Sequence, residues 1–321
     1  MAMRAFVRDR YGSPEIMRIE EVPSPALADD AALVRVQASS INAYDWHMLR
    51  GKPYVARLGE GLRAPKARIL GLDVAGTVEA VGPAMMSLKP GDRVYGSRSG
   101  AFAEYVVSKN LVRMPSNLTF EQAAAVSVAG QTALQGLRDK GGLRPGQRVL
   151  VDGAGGGVGT FAVQIAKALG AEVTAVTTTG NLELMRSIGA DNVLDYTTTD
   201  FTRSGARYDL IIDIGGRHSL ASLRRALVAG GTAVLVAPSP GEWVGFLGRI
   251  AGAAVTSRFA TRKIRPFLSS VRADDLRSLT TMIEDGAITP IIDRIYPFAQ
   301  IPEAIRHVES GAARGKVVVT I

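Results

Sequence analysis

The chain contains no cysteine. That excludes a disulfide scaffold, a thiolate zinc site, an iron–sulfur cluster and a cysteine nucleophile. It also lacks any apolar run near the roughly 18 residues that a membrane span needs. The opening stretch Met1-Ala2-Met3-Arg4-Ala5-Phe6-Val7-Arg8 has no signal-peptide core, so a soluble, cytoplasmic protein is expected. Charge is abundant but not clustered. The 38 Lys and Arg give a net charge of +8, yet no block of five or six like charges occurs. A solvated basic surface is therefore expected, and no nucleic-acid partner. Short repeats and low-complexity linkers are missing too. What is present is 321 residues, 46% hydrophobic and 21% charged, which suits a globular enzyme of two domains.

The chain changes character near residue 120. Before it lie short apolar segments broken by Gly and Pro: Ala5-Phe6-Val7, Ala32-Leu33-Val34-Arg35-Val36, the run from Ala75 to Val81, Arg93-Val94-Tyr95, and the run from Ala103 to Val107. Turns such as Lys89-Pro90-Gly91-Asp92 separate them, so this part reads as mainly β. After it, strand candidates recur at Val149, Glu172, Asn192, Leu210 and Thr232, with helix-length segments between several of them. Near-continuous Val/Ile/Leu strands of this kind belong to parallel sheets covered on both faces. A helix-like stretch over 274–283 precedes a return to short strands at 291–296 and 316–321. The expected plan is a β-rich domain from both chain ends (1–120 and 285–321) around an α/β domain over 121–284.

The strongest local motif runs from Val149-Leu150-Val151 through Asp152-Gly153-Ala154-Gly155-Gly156-Gly157-Val158-Gly159. A strand enters it. Beyond it, Val158, Phe161, Ala162, Ile165 and Leu169 repeat at helical spacing. This is the context of a dinucleotide-binding turn: backbone amides at Gly155, Gly156, Gly157 and Val158 would cradle a pyrophosphate at a helix N-terminus. Ala154 replaces the first fingerprint glycine. At the end of the next strand, Thr177-Thr178-Thr179-Gly180-Asn181 offers no carboxylate for ribose hydroxyls, which favours NADPH over NADH. No Lys or Arg stands in that turn either, and a plain polar turn is the alternative.

With these motifs in place, the chain resembles the zinc-independent medium-chain dehydrogenase/reductase family, in its quinone oxidoreductase and enoyl reductase branch. The resemblance covers essentially the whole chain. It rests on Ser39-Ser40-Ile41-Asn42-Ala43-Tyr44-Asp45, on the run from Gly71 to Gly82, on Gly91-Asp92-Arg93-Val94-Tyr95-Gly96 and on the run from Gly100 to Val106. Gly130-Gln131-Thr132-Ala133, the glycine turn and Ser187-Ile188-Gly189-Ala190-Asp191 complete it. It implies a doubly wound Rossmann sheet, a GroES-like β-rich catalytic domain, a cofactor in the cleft between them and a homodimer. Zinc-dependent members hold their metal at positions that match Asn42, Leu72 and Val128, none of which supplies a usual zinc donor. His47, His218 and His307 are far apart in sequence. Without a Lewis acid a simple ketone is hard to reduce, so a quinone or α,β-unsaturated carbonyl is the expected acceptor.

By the same resemblance Tyr44 and His47 occupy the positions of a proton relay, with Tyr44 as donor or oxyanion partner and His47 as its source. A pocket wall and a simple ion pair are the respective alternatives, and protonation by solvent stays open. Asn42 and Thr132 would lie by the nicotinamide. Asn181 stands where many relatives carry a phosphate-binding Lys, which weakens that contact here, and Tyr196 matches a Tyr flanking that phosphate, an ordinary strand-end aromatic being the alternative. Gly215 would let the cofactor approach the backbone closely. Asp45 is read as a tie for its loop. The apolar stretch 243–252, with Trp46, Tyr54 and Leu58, is a candidate wall for an apolar or aromatic acceptor, core packing being the alternative. The rival functional reading is an NADPH-binding sensor, or a protein moonlighting at a membrane surface or on nucleic acid.

Overall fold

The computed structural model describes residues 2–236, 252–253 and 261–321. The chain forms two compact units: Met1–Val128 with Val271–Glu284 and Pro290–Ile321, and Ala129–Ser270 with Asp285–Thr289. Relative to the boundaries read at 120 and 284, the first unit also takes in residues 121–128 and the helix Ala273–Glu284. Polar contacts hold that helix to the first unit. Tyr95 donates its hydroxyl to Leu276 O at 2.8 Å, and the Asn117 amide donates to Ile283 O at 3.0 Å.

The first unit carries β1 (Ala2–Val7), β2 (Arg18–Pro23), β3 (Ala32–Ile41), β4 (Asp73–Val81), β5 (Arg93–Ser97), β6 (Tyr105–Ser108) and β7 (Leu111–Arg113). Its centre is β3. Opposite β4, residues 32–35 of β3 pair with β6 and residues 38–41 pair with the last strand of the chain. Two register shifts, at Leu33/Val34 and Val36/Ala38, accompany its pairing with β4; such bulges bend and twist a strand. Phe6, Leu49, Phe102, Ile301 and Val317 form one core, Val34, Val74, Val94 and Val106 another.

The second unit is built on β8 (Arg148–Asp152), β9 (Glu172–Thr177), β10 (Asn192–Asp195), β11 (Tyr208–Asp213), β12 (Leu227–Leu235) and β13 (Lys263–Pro266). They lie in the order β10-β9-β8-β11-β12-β13, every neighbouring pair parallel. The order reverses between β8 and β11. In doubly wound sheets ligands bind at the carboxyl ends of the strands flanking this switch point. The helix after β8, Gly157–Ala168, is buried over residues 159–166, more widely than one amphipathic stripe requires. Back in the first unit, β14 (Ile292–Pro297) pairs parallel with β15 (Lys316–Thr320), and β15 pairs antiparallel with β3.

Candidate active site

The glycine turn joins β8 to its helix as the sequence pattern requires. Gly153 and Ala154 donate their amides to Val176 O, at 3.2 and 3.0 Å, which draws the turn against the end of β9. Gly153 has φ +86°, a left-handed conformation suited to glycine. A Cβ on Gly155 would fall 2.4 Å from Asn181 Nδ2 and 2.6 Å from Thr177 Oγ1. On Gly156, the N-cap, the nearest atom would be 3.9 Å away. The turn is thus closed beneath and open above, at the end of a helix whose first amides lack intrahelical partners.

Thr177 is buried at the end of β9, Thr178 is half-buried beyond it, and Asn181 is buried. The Asn181 amide reaches Thr178 Oγ1 at 3.4 Å, while its buried Oδ1 has no partner among the described residues. Tyr196 donates its backbone N–H to Thr177 O at 3.0 Å, so its exposed side chain stands beside that turn. Gly215 packs against Asp152: its N–H donates to Asp152 O at 3.1 Å, and a Cβ would lie 3.2 Å from the carboxylate. Thr132, also buried, donates its hydroxyl to Ser269 Oγ at 2.9 Å. The second unit therefore brings Gly155, Gly156, Thr177, Thr178, Asn181 and Tyr196 to neighbouring strand ends, with Gly157 and Val158 opening the helix. These features fit a dinucleotide: an open glycine cradle at the switch point, and an unpartnered buried amide oxygen beside it.

In the first unit Asn42, Leu72 and Val128 surround one carboxylate. Asp73, fully buried, accepts from Val128 N at 2.8 Å on one oxygen. Its other oxygen accepts from Ser40 Oγ at 2.5 Å, from Asn42 Nδ2 at 2.8 Å and from Lys316 Nζ at 3.3 Å. Lys316 also donates to Asn42 Oδ1 at 2.7 Å and to Ile41 O at 3.4 Å. Both polar ends of the Asn42 amide are therefore held inside the protein. A buried ammonium stands among the positions that match the zinc ligands, and no three His, Asp or Glu side chains gather anywhere among the described residues. The residues present do not fit a zinc ion. Sequence reasoning missed Lys316, which reads there as the polar start of a strand.

Asn42 is also the N-cap of the helix Ala43–Arg50. Asp45, fully buried in its first turn, accepts from Asn42 N at 2.7 Å and from Gly71 N at 3.1 Å. It ties its loop to the backbone. Burial raises its carboxyl to about 7, although the two backbone donors pull the other way. Tyr44 and His47 are not joined to each other. The Tyr44 hydroxyl faces Glu60 Oε1 at 3.4 Å, and burial followed by that carboxylate pushes it to about 12. His47 contacts Lys52 O through Nδ1 at 3.1 Å and stacks on Trp46 with centroids 3.6 Å apart. Burial lowers its pKa. Trp46 packs on the core, whereas Leu58 is 67% exposed. Tyr54 is half-buried, and of the stretch 243–252 only Gly252 lies among the described residues.

The fold and the turn define a class: a two-domain protein with a dinucleotide-binding α/β unit. Residues 28–116 match the alcohol dehydrogenase GroES-like domain, and residues 188–319 match the zinc-binding dehydrogenase family. The 2-methylene-furan-3-one reductase of Solanum lycopersicum is 32% identical over 99% of this chain and 79% of its own length. The chloroplastic NADPH-dependent alkenal/one oxidoreductase of Arabidopsis thaliana is 31% identical over the same shares, 99% and 79%. The quinone oxidoreductase structure from Coxiella burnetii superposes with a TM-score of 0.88 at 27% identity, covering 100% of both chains. The chain belongs to the medium-chain dehydrogenase/reductase family, in its quinone oxidoreductase and enoyl reductase branch.

Proposed function

We propose that this protein is an NADPH-dependent, metal-free oxidoreductase that reduces a quinone or an α,β-unsaturated carbonyl. The observation that carries the reading is the Asp73–Lys316–Asn42 cluster, in which Asn42 stands at one of the positions matching the zinc ligands and Asp73 directly follows another. With no Lewis acid there, the acceptor must spread the arriving charge through its own conjugation. The names of the tomato and Arabidopsis relatives support that substrate class, and the second of them supports NADPH. When bound, the reduced nicotinamide supplies a hydride to the conjugated carbon of the acceptor. The glycine turn and residues 177–181 would hold the dinucleotide, and Thr132, on the same unit, would border its reactive end. Tyr44 keeps its proton at neutral pH and delivers it, or a hydrogen bond, to the acceptor oxygen; Glu60, rather than His47, is the group that contacts it. We include in this reading a homodimer joined through the parallel sheet of the second unit, testable by light scattering.

The test is oxidation of NADPH and NADH, in metal-free buffer with and without chelator, against quinones, enones, ketones and simple aldehydes. Turnover with NADPH on quinones or enones, unchanged by chelator, is the expected result. Loss of activity with chelator, or reduction of unconjugated ketones alone, would overturn the metal-free conjugate-reduction reading. Tight NADPH binding without turnover on any acceptor would favour the sensor reading.

A further inference from the structure

Residues 177–181 contain no basic side chain. A ribose 2′-phosphate brings close to two negative charges, which hydroxyl groups alone match poorly. The structure supplies a cation to this corner from another loop. Arg217 follows β11, 21 positions beyond Tyr196 in the chain. Its guanidinium lies over the Tyr196 ring, 3.5 Å from the centroid. Its Nη2 donates to Asp152 Oδ1 at 3.1 Å. Asp152 is fully buried at the end of β8, and its second oxygen lies 3.8 Å from His218 Nε2.

This arrangement holds a charged group without hiding it. The buried carboxylate fixes one edge of the guanidinium and the aromatic ring fixes its plane. Even so, the Arg217 side chain remains 37% exposed. A guanidinium has five N–H donors, and this one makes a single hydrogen bond to the described residues. A planar fork restrained in advance loses little freedom when it binds a phosphate. Asp195 is an acid beside the same turn. Its oxygens accept from the Thr179 hydroxyl and from the Thr197 hydroxyl and amide, the last two at 2.7 and 2.9 Å, so its charge is turned into its own loop.

We propose that Arg217, braced by Asp152 and spread on Tyr196, is the cation that reads the 2′-phosphate of the dinucleotide in place of a basic residue at 177–181. The proposal rests on the NADPH reading above and assigns its specificity to a residue outside the usual turn.

Calorimetric titration with NADPH, NADH, 2′,5′-ADP and 5′-AMP tests this without any turnover. Arg217→Met is expected to weaken NADPH and 2′,5′-ADP at least about tenfold, the loss of a charge-assisted hydrogen bond. NADH and 5′-AMP should stay within about twofold, because neither carries the phosphate. Arg217→Lys, which keeps the charge, should recover part of the loss. Arg207→Met removes the same charge from the same unit at a side chain that, among the described residues, hydrogen-bonds only the carbonyls of Gly205 and Ala206, and should alter no affinity. Equal losses for NADPH and NADH in Arg217→Met would make the residue merely structural and overturn the proposal. An unchanged preference for NADPH in that variant would overturn it while leaving the NADPH reading intact. A wild-type protein that binds 2′,5′-ADP no better than 5′-AMP would sink the NADPH reading and the role of Arg217 with it.

Discussion

Asp45 and Tyr44 sit one residue apart and face opposite electrostatic problems. Asp45 is a fully buried carboxyl, held by two backbone amides, and burial lifts it to about 7. In the unfolded chain it loses its proton near pH 4, as an ordinary Asp does. Between about pH 4 and 7 the folded state therefore holds more protons, and this group's contribution to stability falls as pH rises. Asp45→Asn removes that dependence and leaves one backbone amide without an acceptor. The substitution should cost about 1–3 kcal/mol. Its cost should be larger at pH 4.5 than at pH 7.5 in urea titrations; a pH-independent difference would show that Asp45 is ionised throughout. Tyr44 has no titration near neutrality, since its hydroxyl is pushed to about 12. If it donates the proton, Tyr44→Phe should lower turnover at least about tenfold with dinucleotide affinity unchanged. An unchanged rate would assign protonation to solvent.

At the scale of elements, the glycine turn shows how close packing dictates residue choice. A Cβ on Gly159 would lie 2.3 Å from Gly153 O and 2.5 Å from Ala154 O, both backbone atoms that cannot rotate away. Gly159→Ala must push the helix Gly157–Ala168 off the turn, at a cost of about 1–3 kcal/mol. Thermal melts and NADPH titrations should both register it; a wild-type melting temperature would contradict the packing. This turn was legible because its chemistry is local: strand, glycines and helix follow one another in the chain. Four of the five strand candidates from Val149 to Thr232 were legible for a similar reason, since burial on both faces selects continuous Val/Ile/Leu runs, whereas β10 is exposed to half-buried throughout. By contrast β2, β7 and β13 left little pattern. β2 is Arg-Ile-Glu-Glu-Val-Pro with an exposed face, β7 has three residues, and β13 is Lys-Ile-Arg-Pro. Arg217 on Tyr196 was not legible at all, because the two residues follow strands that are neighbours neither in the chain nor in the sheet.

For the molecule as a whole, the first unit is assembled from segments of the chain that lie far apart, and Lys316 is one of the groups joining them. It lies on β15, yet its ammonium meets Ile41, Asn42 and Asp73, residues contributed more than 240 positions earlier. A lysine at the start of a strand ordinarily reads as a solvent-facing charge, and only tertiary structure makes it a buried one. The Lys316 side chain is 4% exposed and the Asp73 side chain 0%. Burying such a pair need not stabilise the fold relative to apolar residues, but removing one partner leaves an uncompensated charge. Lys316→Met should therefore destabilise the protein by about 3–5 kcal/mol, read from urea unfolding. Adding Asp73→Asn removes the stranded carboxylate, so the double variant should lose less than the sum of the two single losses. Additive losses would mean that the two groups act independently, and that Asp73 is stabilised by Ser40, Asn42 and Val128 alone. A coupled loss would identify Lys316 as the group that neutralises this carboxylate, next to the positions that match the zinc ligands.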